Sequence, residues 1–220
     1  MTAESATARL VRGLSTPFLD LLPITGVAIS VLDQDRKIST IHASDDTVAR
    51  LEELHFDLGE GPLFDAVAHA TPVMVPDIRV ENRWPTFAQS TLTMDVGALF
   101  VFPLMLGAAC VGAAMCYRTL PGTLDAAAVE TGSGLSRAIA GPTFRHAILL
   151  AGVEDADADS PIEMRREVHQ ATGMVLLQLD VSATDAFARM RAYAFSNGVS
   201  LRDVARDVIT RRLDFSTVAD

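Results

Sequence analysis

Cysteine is nearly missing from this chain of 220 residues, which has two in all. Both, Cys110 and Cys116, lie in one apolar run that reads as a strand. On a strand their Cα atoms would stand about 20 Å apart, too far for a disulfide. Neither has a second Cys or a His at metal-ligand spacing, so a buried structural thiol is favoured over a reactive or metal-binding one. His42, His55, His69 and His146 are scattered without i,i+4 pairing or a Cys or carboxylate at ligand spacing. That supports neither zinc nor haem, and no metal or cofactor is expected.

Long apolar runs are also lacking. Arg, Asp, Gly or Pro interrupts every stretch short of membrane-spanning length, and the start, Met1-Thr2-Ala3-Glu4-Ser5, is not a basic-then-apolar leader. The expectation is a cytoplasmic protein without a membrane partner. There is no phosphate-cradling Gly-rich loop with Lys, no Gly-x-Ser-x-Gly elbow and no His-Glu-x-x-His, so an enzyme is not expected.

Apolar residues make up 49% of the chain, ample for a core, and the length allows one large domain or two small ones. The formal charge is −10, and it is unevenly placed. Residues 161–220 carry 8 Arg, no Lys and 8 acids, so the whole excess of acid lies in residues 1–160. An acidic body repels nucleic acid at long range, whereas a neutral tail with only Arg cations can still present a basic face.

One phrase recurs in that tail: Ser160 with Glu163, Ser182 with Asp185, and Ser200 with Asp203. A hydroxyl that accepts from the third helical N–H, followed three residues on by an acid, is a helix-start signature. The spacing behind each box is helical. Met164, Val168, Ala171 and Val175 share a face, as do Ala183, Ala186, Phe187, Met190 and Ala194, and then Leu201, Val204, Ala205, Val208 and Ile209. Asn197-Gly198 closes the second helix. A three-helix unit over residues 161–220 is expected, small enough to lean on a longer helix or a partner chain.

Ahead of it, Leu10, Leu14, Phe18, Leu21 and Leu22 recur at helical intervals until Pro23. Residues 25–33 and 36–44 read as a hairpin, 49–58 and 62–70 as short helices, and 72–75 as a strand. Residues 97–106 and 110–117 read as a second hairpin joined at Gly107. Residues 126–150 are helical by composition, with Gly132, Gly134 and Gly141-Pro142 expected to weaken or kink the helix. The acidic stretch 153–160 has no apolar face in either period and is the expected boundary, a linker or bend between a body at 1–152 and the tail.

The motifs Gly59-Glu60-Gly61-Pro62, Thr71-Pro72-Val73-Met74-Val75-Pro76-Asp77, Arg83-Trp84-Pro85, Phe102-Pro103-Leu104 and Val111-Gly112-Ala113, in that order, resemble a GAF domain. The tail, from Glu167-Val168-His169-Gln170-Ala171-Thr172-Gly173-Met174 through Ala186-Phe187, Met190-Arg191, Ala194 and Leu201-Arg202-Asp203-Val204-Ala205, resembles an ANTAR domain. The pair resembles the GAF plus ANTAR regulators of actinobacteria, dimeric RNA-binding transcription antiterminators. The resemblance implies an α+β fold: an antiparallel-sheet GAF domain with flanking helices, then an all-α three-helix ANTAR domain. It implies that the tail binds RNA stem-loops, and that the GAF portion senses a small molecule or holds a homodimer together. Position 172 is often Lys in ANTAR domains and is Thr172 here, which removes a cation from a candidate phosphate contact. Some GAF domains reduce free methionine sulfoxide through pocket thiols, but this chain has Leu63 where a thiol would sit.

The RNA-binding candidates are Arg165, Arg166, His169 and Gln170 off the apolar stripe of the first tail helix, Arg191 and Tyr193 on the second, and Arg202 and Arg206 one turn apart on the third. Arg suits phosphate forks and stacking on unpaired bases. The competing reading is a solvated face, with Glu163–Arg166, Asp185–Arg189 and Asp207–Arg211 as ordinary helix pairs. An exposed Tyr193 or Phe195 would stack on a base, although packing within so small a unit is favoured. Trp84 and Phe102 are the ligand-contact candidates in the GAF portion, and for Trp84 a packing role is favoured. Two functions follow: an RNA-binding antiterminator, or a sensor or scaffold whose tail serves only dimerisation or partner docking.

Overall fold

The computed structural model describes residues 13–32, 38–151 and 161–217, with the side chains of 32, 38, 148–151, 161–166, 169 and 184 outside the description. The Ser160 helix box, the acidic stretch 153–160, the turn at Asp33 and the Glu163–Arg166 pair therefore lie outside the described residues. The chain divides into two units, residues 1–154 and 155–220.

In the first unit, helix α1 (13–21) leads into strands β1 (Gly26–Leu32) and β2 (Ile38–Ala43). Helices α2 (Asp46–Leu58) and α3 (Pro62–His69), strand β3 (Val73–Val75) and helix α4 (Pro85–Thr91) follow. Strands β4 (Ala98–Leu106) and β5 (Ala109–Arg118) and the long helix α5 (Ala126–Ala151) complete it. The five strands form one antiparallel sheet in the order β2-β1-β5-β4-β3.

Alternation along β4 and β5 divides the core in two, because successive side chains of a strand leave opposite faces. Leu99, Val101 and Met115 join residues of α2, α3 and α4, including Leu51, Leu63, Trp84 and Phe87. Phe100, Phe102, Leu104 and Cys116 join Phe18 of α1 and Ile139 and Ala140 of α5. The sheet is thus sandwiched between helices.

Local chemistry sets the helix ends. Asp45 caps α2, its Oδ1 accepting from Val48 N at 3.0 Å, and Gly59 ends it in the left-handed region at φ 63°. Pro62 and Pro85 open α3 and α4, where a missing N–H costs nothing. Helix α4 is absent from the sequence expectation; the proline at its first turn is the signal. Gly141-Pro142 does not break α5, which is continuous through the proline. Ile139 and Ala140 before it and Thr143 and His146 after it are all buried, so packing holds the helix on both sides.

The second unit has helices α6 (Pro161–Leu179), α7 (Ala183–Asn197) and α8 (Leu201–Ile209), then a 3-10 turn at Phe215–Thr217. Val168, Ala171, Val175, Ala186, Met190, Ala194, Leu201, Val204, Ala205 and Val208 are buried, as their spacing predicts. Ala183, expected on that face, is exposed at the first turn of α7. Ser182 and Ser200 accept from the N–H of Asp185 and Asp203, each at 3.1 Å, and their hydroxyls donate to the same two carboxylates. Gly198, at φ 64°, closes α7. Among the described residues no helix is long and apolar enough to cross a membrane.

Candidate nucleic-acid interface

Helix α8 lays its apolar stripe against α6, and the residues flanking that stripe come with it. Arg202 Nε donates to Glu167 Oε2 at 3.4 Å, and Arg206 Nε stands 3.7 Å from Glu167 Oε1. One carboxylate on α6 thus spans two guanidiniums set a helical turn apart on α8. Helix packing delivers both arginines to an acid far back in the chain, 35 residues before Arg202. Arg206 keeps 44% of its side chain exposed and Arg202 22%.

On α7, Arg191 is half-buried, its Cζ 5.8 Å from the centre of the Phe187 ring. Tyr193 meets the buried Phe215 edge-on, with ring centres 5.5 Å apart, so it packs against the end of the chain. Phe195 is 67% exposed. Residues two positions apart on a helix differ by about 200° around its axis, which sends these two aromatics to opposite sides. Gln170 is exposed. The side chains of Arg165, Arg166 and His169 lie outside the described residues.

Asp207 pairs with Arg212 at 3.2 Å, where the sequence suggested Arg211. The helix ends at Ile209 and Arg211 takes φ 58°, so the i,i+4 geometry of a helix no longer applies there. Thr172 is buried: its Oγ1 donates to Val168 O at 2.7 Å and lies 3.8 Å from Met190 Sδ. It is a packing position between α6 and α7, not a surface one.

Sequence reasoning missed a groove in this unit. Met174, Leu177, Gln178, Arg211, Leu213 and Asp214 line a space of about 340 Å³. Leu177 is 80% exposed, off the apolar stripe of α6, and was the available signal. Gln178 Oε1 accepts from Phe215 N at 3.1 Å, which ties the last turn of α6 to the chain end. Ser216 donates from N and Oγ to Asp214 Oδ1, at 2.9 and 2.6 Å, holding that carboxyl below its usual range.

Residues 156–209 match the ANTAR domain family. The C-terminal helices carry an ANTAR domain. Glu167, Arg191, Arg202 and Arg206 fall within the matched span, whereas Arg211, Leu213 and Asp214 of the groove lie just past it. Thr172 is therefore an internal residue of the ANTAR domain.

The first unit is similar to solved GAF domains. One is the photoproduct state of GAF3 from Slr1393 of Synechocystis sp. PCC6803, at 15% identity and TM-score 0.51, covering 68% of this chain and 99% of that one. Another is the GAF domain region of a Geobacter sulfurreducens PCA protein, at 13% identity and TM-score 0.50, covering 66% and 97%. A third is a type II free methionine-R-sulfoxide reductase from Thermoplasma acidophilum, at 13% identity and TM-score 0.50, covering 64% and 96%. At these identities the likeness is one of fold, and the antiparallel five-stranded sheet with flanking helices is the GAF fold. A comparison with curated proteins found no match.

Within the GAF fold the two ligand candidates separate. Trp84 is buried among α2, α3 and α4 beneath Arg83, whose Cζ lies 4.3 Å from the ring centre and which pairs with Glu81 at 2.6 Å. Phe102 lies on the opposite face of the sheet, its ring tip against Gly132 of α5. No single ligand can touch both. The thiols separate in the same way, with Cys116 buried on the α1 and α5 side and Cys110 packed on the other. Burial pushes the Cys116 thiol well up, away from a reactive thiolate.

Polar groups do enter the core beside α2. Glu52 accepts from Ser30 Oγ at 2.5 Å and Thr40 Oγ1 at 2.9 Å, which fastens α2 to both strands of the first hairpin. One turn on, His55 Nδ1 lies 2.7 Å from Leu51 O and its Nε2 accepts from Leu63 N at 3.3 Å. That pattern requires the neutral ring with its proton on Nδ1. Burial lowers the His55 pKa to about 4. Among the described residues no group of three or more His, Cys, Asp or Glu could hold a metal ion.

Proposed function

We propose that this chain is a cytoplasmic, non-catalytic RNA-binding regulator of transcription termination that works as a homodimer. The ANTAR domain grips a stem-loop in nascent RNA and favours an antitermination structure, while the GAF domain receives a small-molecule signal or joins the subunits. The observation that carries this reading is the ANTAR match over residues 156–209, in a tail whose cations are all Arg. Two such tails on one dimer would convert two weak hairpin contacts into one avid contact. Arg191 is the principal contact, supported by Arg165, Arg166, His169 and Gln170 on α6. Arg202 and Arg206 add to it in so far as RNA phosphate displaces Glu167. Packing of Tyr193 against Phe215 leaves it a supporting wall.

The test is a gel shift of the purified protein against tandem-hairpin RNA and a scrambled control at several salt concentrations. Binding should weaken steeply with salt, because each neutralised phosphate releases counterions. Replacing Arg166, Arg191 and Arg202 together by Ala should abolish it. Salt-independent binding, or a triple variant of unchanged affinity, would overturn the reading.

A second reading is favoured by one observation, the engagement of both α8 arginines by Glu167. In it the tail is a dimerisation or docking bundle on a sensor. Deleting residues 161–220 would then dissociate the protein in sedimentation, and the intact protein would bind neither hairpin.

A further inference from the structure

Helix α5 turns one face to the sheet and leaves the other uncovered. Ser136, Ile139, Ala140, Thr143 and His146 are buried, whereas Ala127, Glu130, Arg137, Ala138 and Arg145, on the far side of the helix, are exposed. Two charges on this outer face are unspent. Neither Glu130 nor Arg137 has an ion pair among the described residues. The positions three and four residues from each, 126, 127, 133, 134, 140 and 141, are Ala, Ser or Gly, so the helix itself offers no partner. Seven residues set the two about 10 Å apart along the axis, too far to pair with each other. Between them lies Gly134, where an added Cβ would meet nothing within 4 Å. Glycine in a helix interior is unfavourable relative to alanine, and no neighbour within the unit requires it here.

We propose that a second copy of this chain docks on the outer face of α5, with the two α5 helices antiparallel and crossing at Gly134, so that Glu130 of each copy pairs with Arg137 of the other. The inference rests on the homodimer reading above, and it gives the joining of the subunits to the GAF-fold unit. A contact between identical copies requires a surface complementary to itself under a two-fold rotation. Opposite charges placed symmetrically about a small residue meet that requirement. With the axis midway between 130 and 137, Glu130 stands level with the partner's Arg137 and Arg137 with the partner's Glu130, which gives two reciprocal pairs. A parallel arrangement sets each residue level with its own copy, so that acid meets acid and guanidinium meets guanidinium. Gly134, flanked by Ala127 and Ala138 on the same face, lets the helix axes close to about 8 Å, the short end of the usual range.

The experiment is sedimentation equilibrium of the full-length protein, wild type and charge variants. Wild type should be a dimer. Glu130→Arg and Arg137→Glu should each raise its dissociation constant about tenfold or more, because each turns two attractive pairs into two repulsive ones. The double variant restores both pairs in the reverse sense and should recover the wild-type value, which separates a direct contact from a general effect of charge. Direction is read by oxidative crosslinking, with the parent chain and its own Cys110 and Cys116 as the control. Gly134→Cys should give a disulfide-linked dimer, and Ala127→Cys should not, since its two copies lie about 20 Å apart across an antiparallel crossing. All four positions are exposed or face open space, so none of the variants threatens the fold. A dimer unmoved by either reversal, a loss that the double variant does not recover, or a crosslink through Ala127→Cys overturns this contact and leaves the homodimer reading intact, with the junction on another face or on the tail. A monomeric wild type overturns both.

Discussion

Glu167 on α6 accepts from Arg202 on α8 at 3.4 Å, and its other oxygen extends to Arg206, so one acid holds two helices in register. Pairs this exposed contribute about 1 kcal/mol or less to stability. Their larger effect is on availability, because a carboxylate already occupies the space an RNA phosphate would take. Glu167→Gln should therefore lower the unfolding midpoint slightly, raise hairpin affinity, and steepen its dependence on salt as two more cations become available. Unchanged affinity with an unchanged salt slope would show that Arg202 and Arg206 serve only to join α6 to α8.

Thr172 allows a complementary prediction. Its hydroxyl back-bonds to Val168 O, and its side chain meets Met190 inside the bundle. Thr172→Val keeps the shape and removes the polar atom, so it should shift stability by less than about 1 kcal/mol. Hairpin affinity should not change. A marked fall in affinity, measured by fluorescence anisotropy, would place the position in contact with RNA after all.

The buried His55 makes the GAF-fold unit sensitive to acid. Its folded pKa is lowered from the ordinary 6.5 to about 4, so the folded domain resists a proton that the unfolded chain accepts. Stability from this group is complete above pH 6.5 and is lost progressively as pH falls from there to about 4. The loss over that interval is about 3 kcal/mol. Urea midpoints across that range should fall in wild type and should fall less in His55→Gln, whose starting stability will be lower. An equal slope in both would remove His55 as the cause.

Gly132 meets the ring of Phe102 so closely that an added Cβ would lie 2.4 Å from Cζ. Alanine favours helix over glycine by about 1 kcal/mol, but overpacking a filled core costs about 1–3 kcal/mol and should win. Gly132→Ala should destabilise the GAF-fold unit, and Phe102→Leu should rescue it by vacating the ring. Additive losses in the double variant, read from chemical denaturation, would show that α5 shifts instead.

Much was legible without coordinates because it is local. Serine three residues before an acid, Asn197-Gly198 at a helix end, and apolar residues at helical spacing act within one or two turns of chain, and the three tail helices formed where those signals lie. The strands of the GAF sheet followed from alternation and β-branching in the same way. Helix α5 continues through Pro142 with buried residues on both sides of it, and burial is not a local quantity. The short helix α4 was missed because seven residues give too little periodicity to read.

The candidate site depended on the fold far more. The sequence alone determined the helix boxes, the all-arginine tail, the two-unit order and the motifs resembling the GAF and ANTAR domains, since each is a property of neighbours along the chain. Only the tertiary structure decided that Glu167 faces Arg202 and Arg206, that Thr172 lies inside the bundle, that Trp84 and Phe102 take opposite faces of the sheet, and that Leu177 meets Arg211 and Asp214 across a groove. The physical reason is that charge pairing, burial and cavity shape depend on which residues packing brings together through space, and the separation of those residues along the chain carries no record of it.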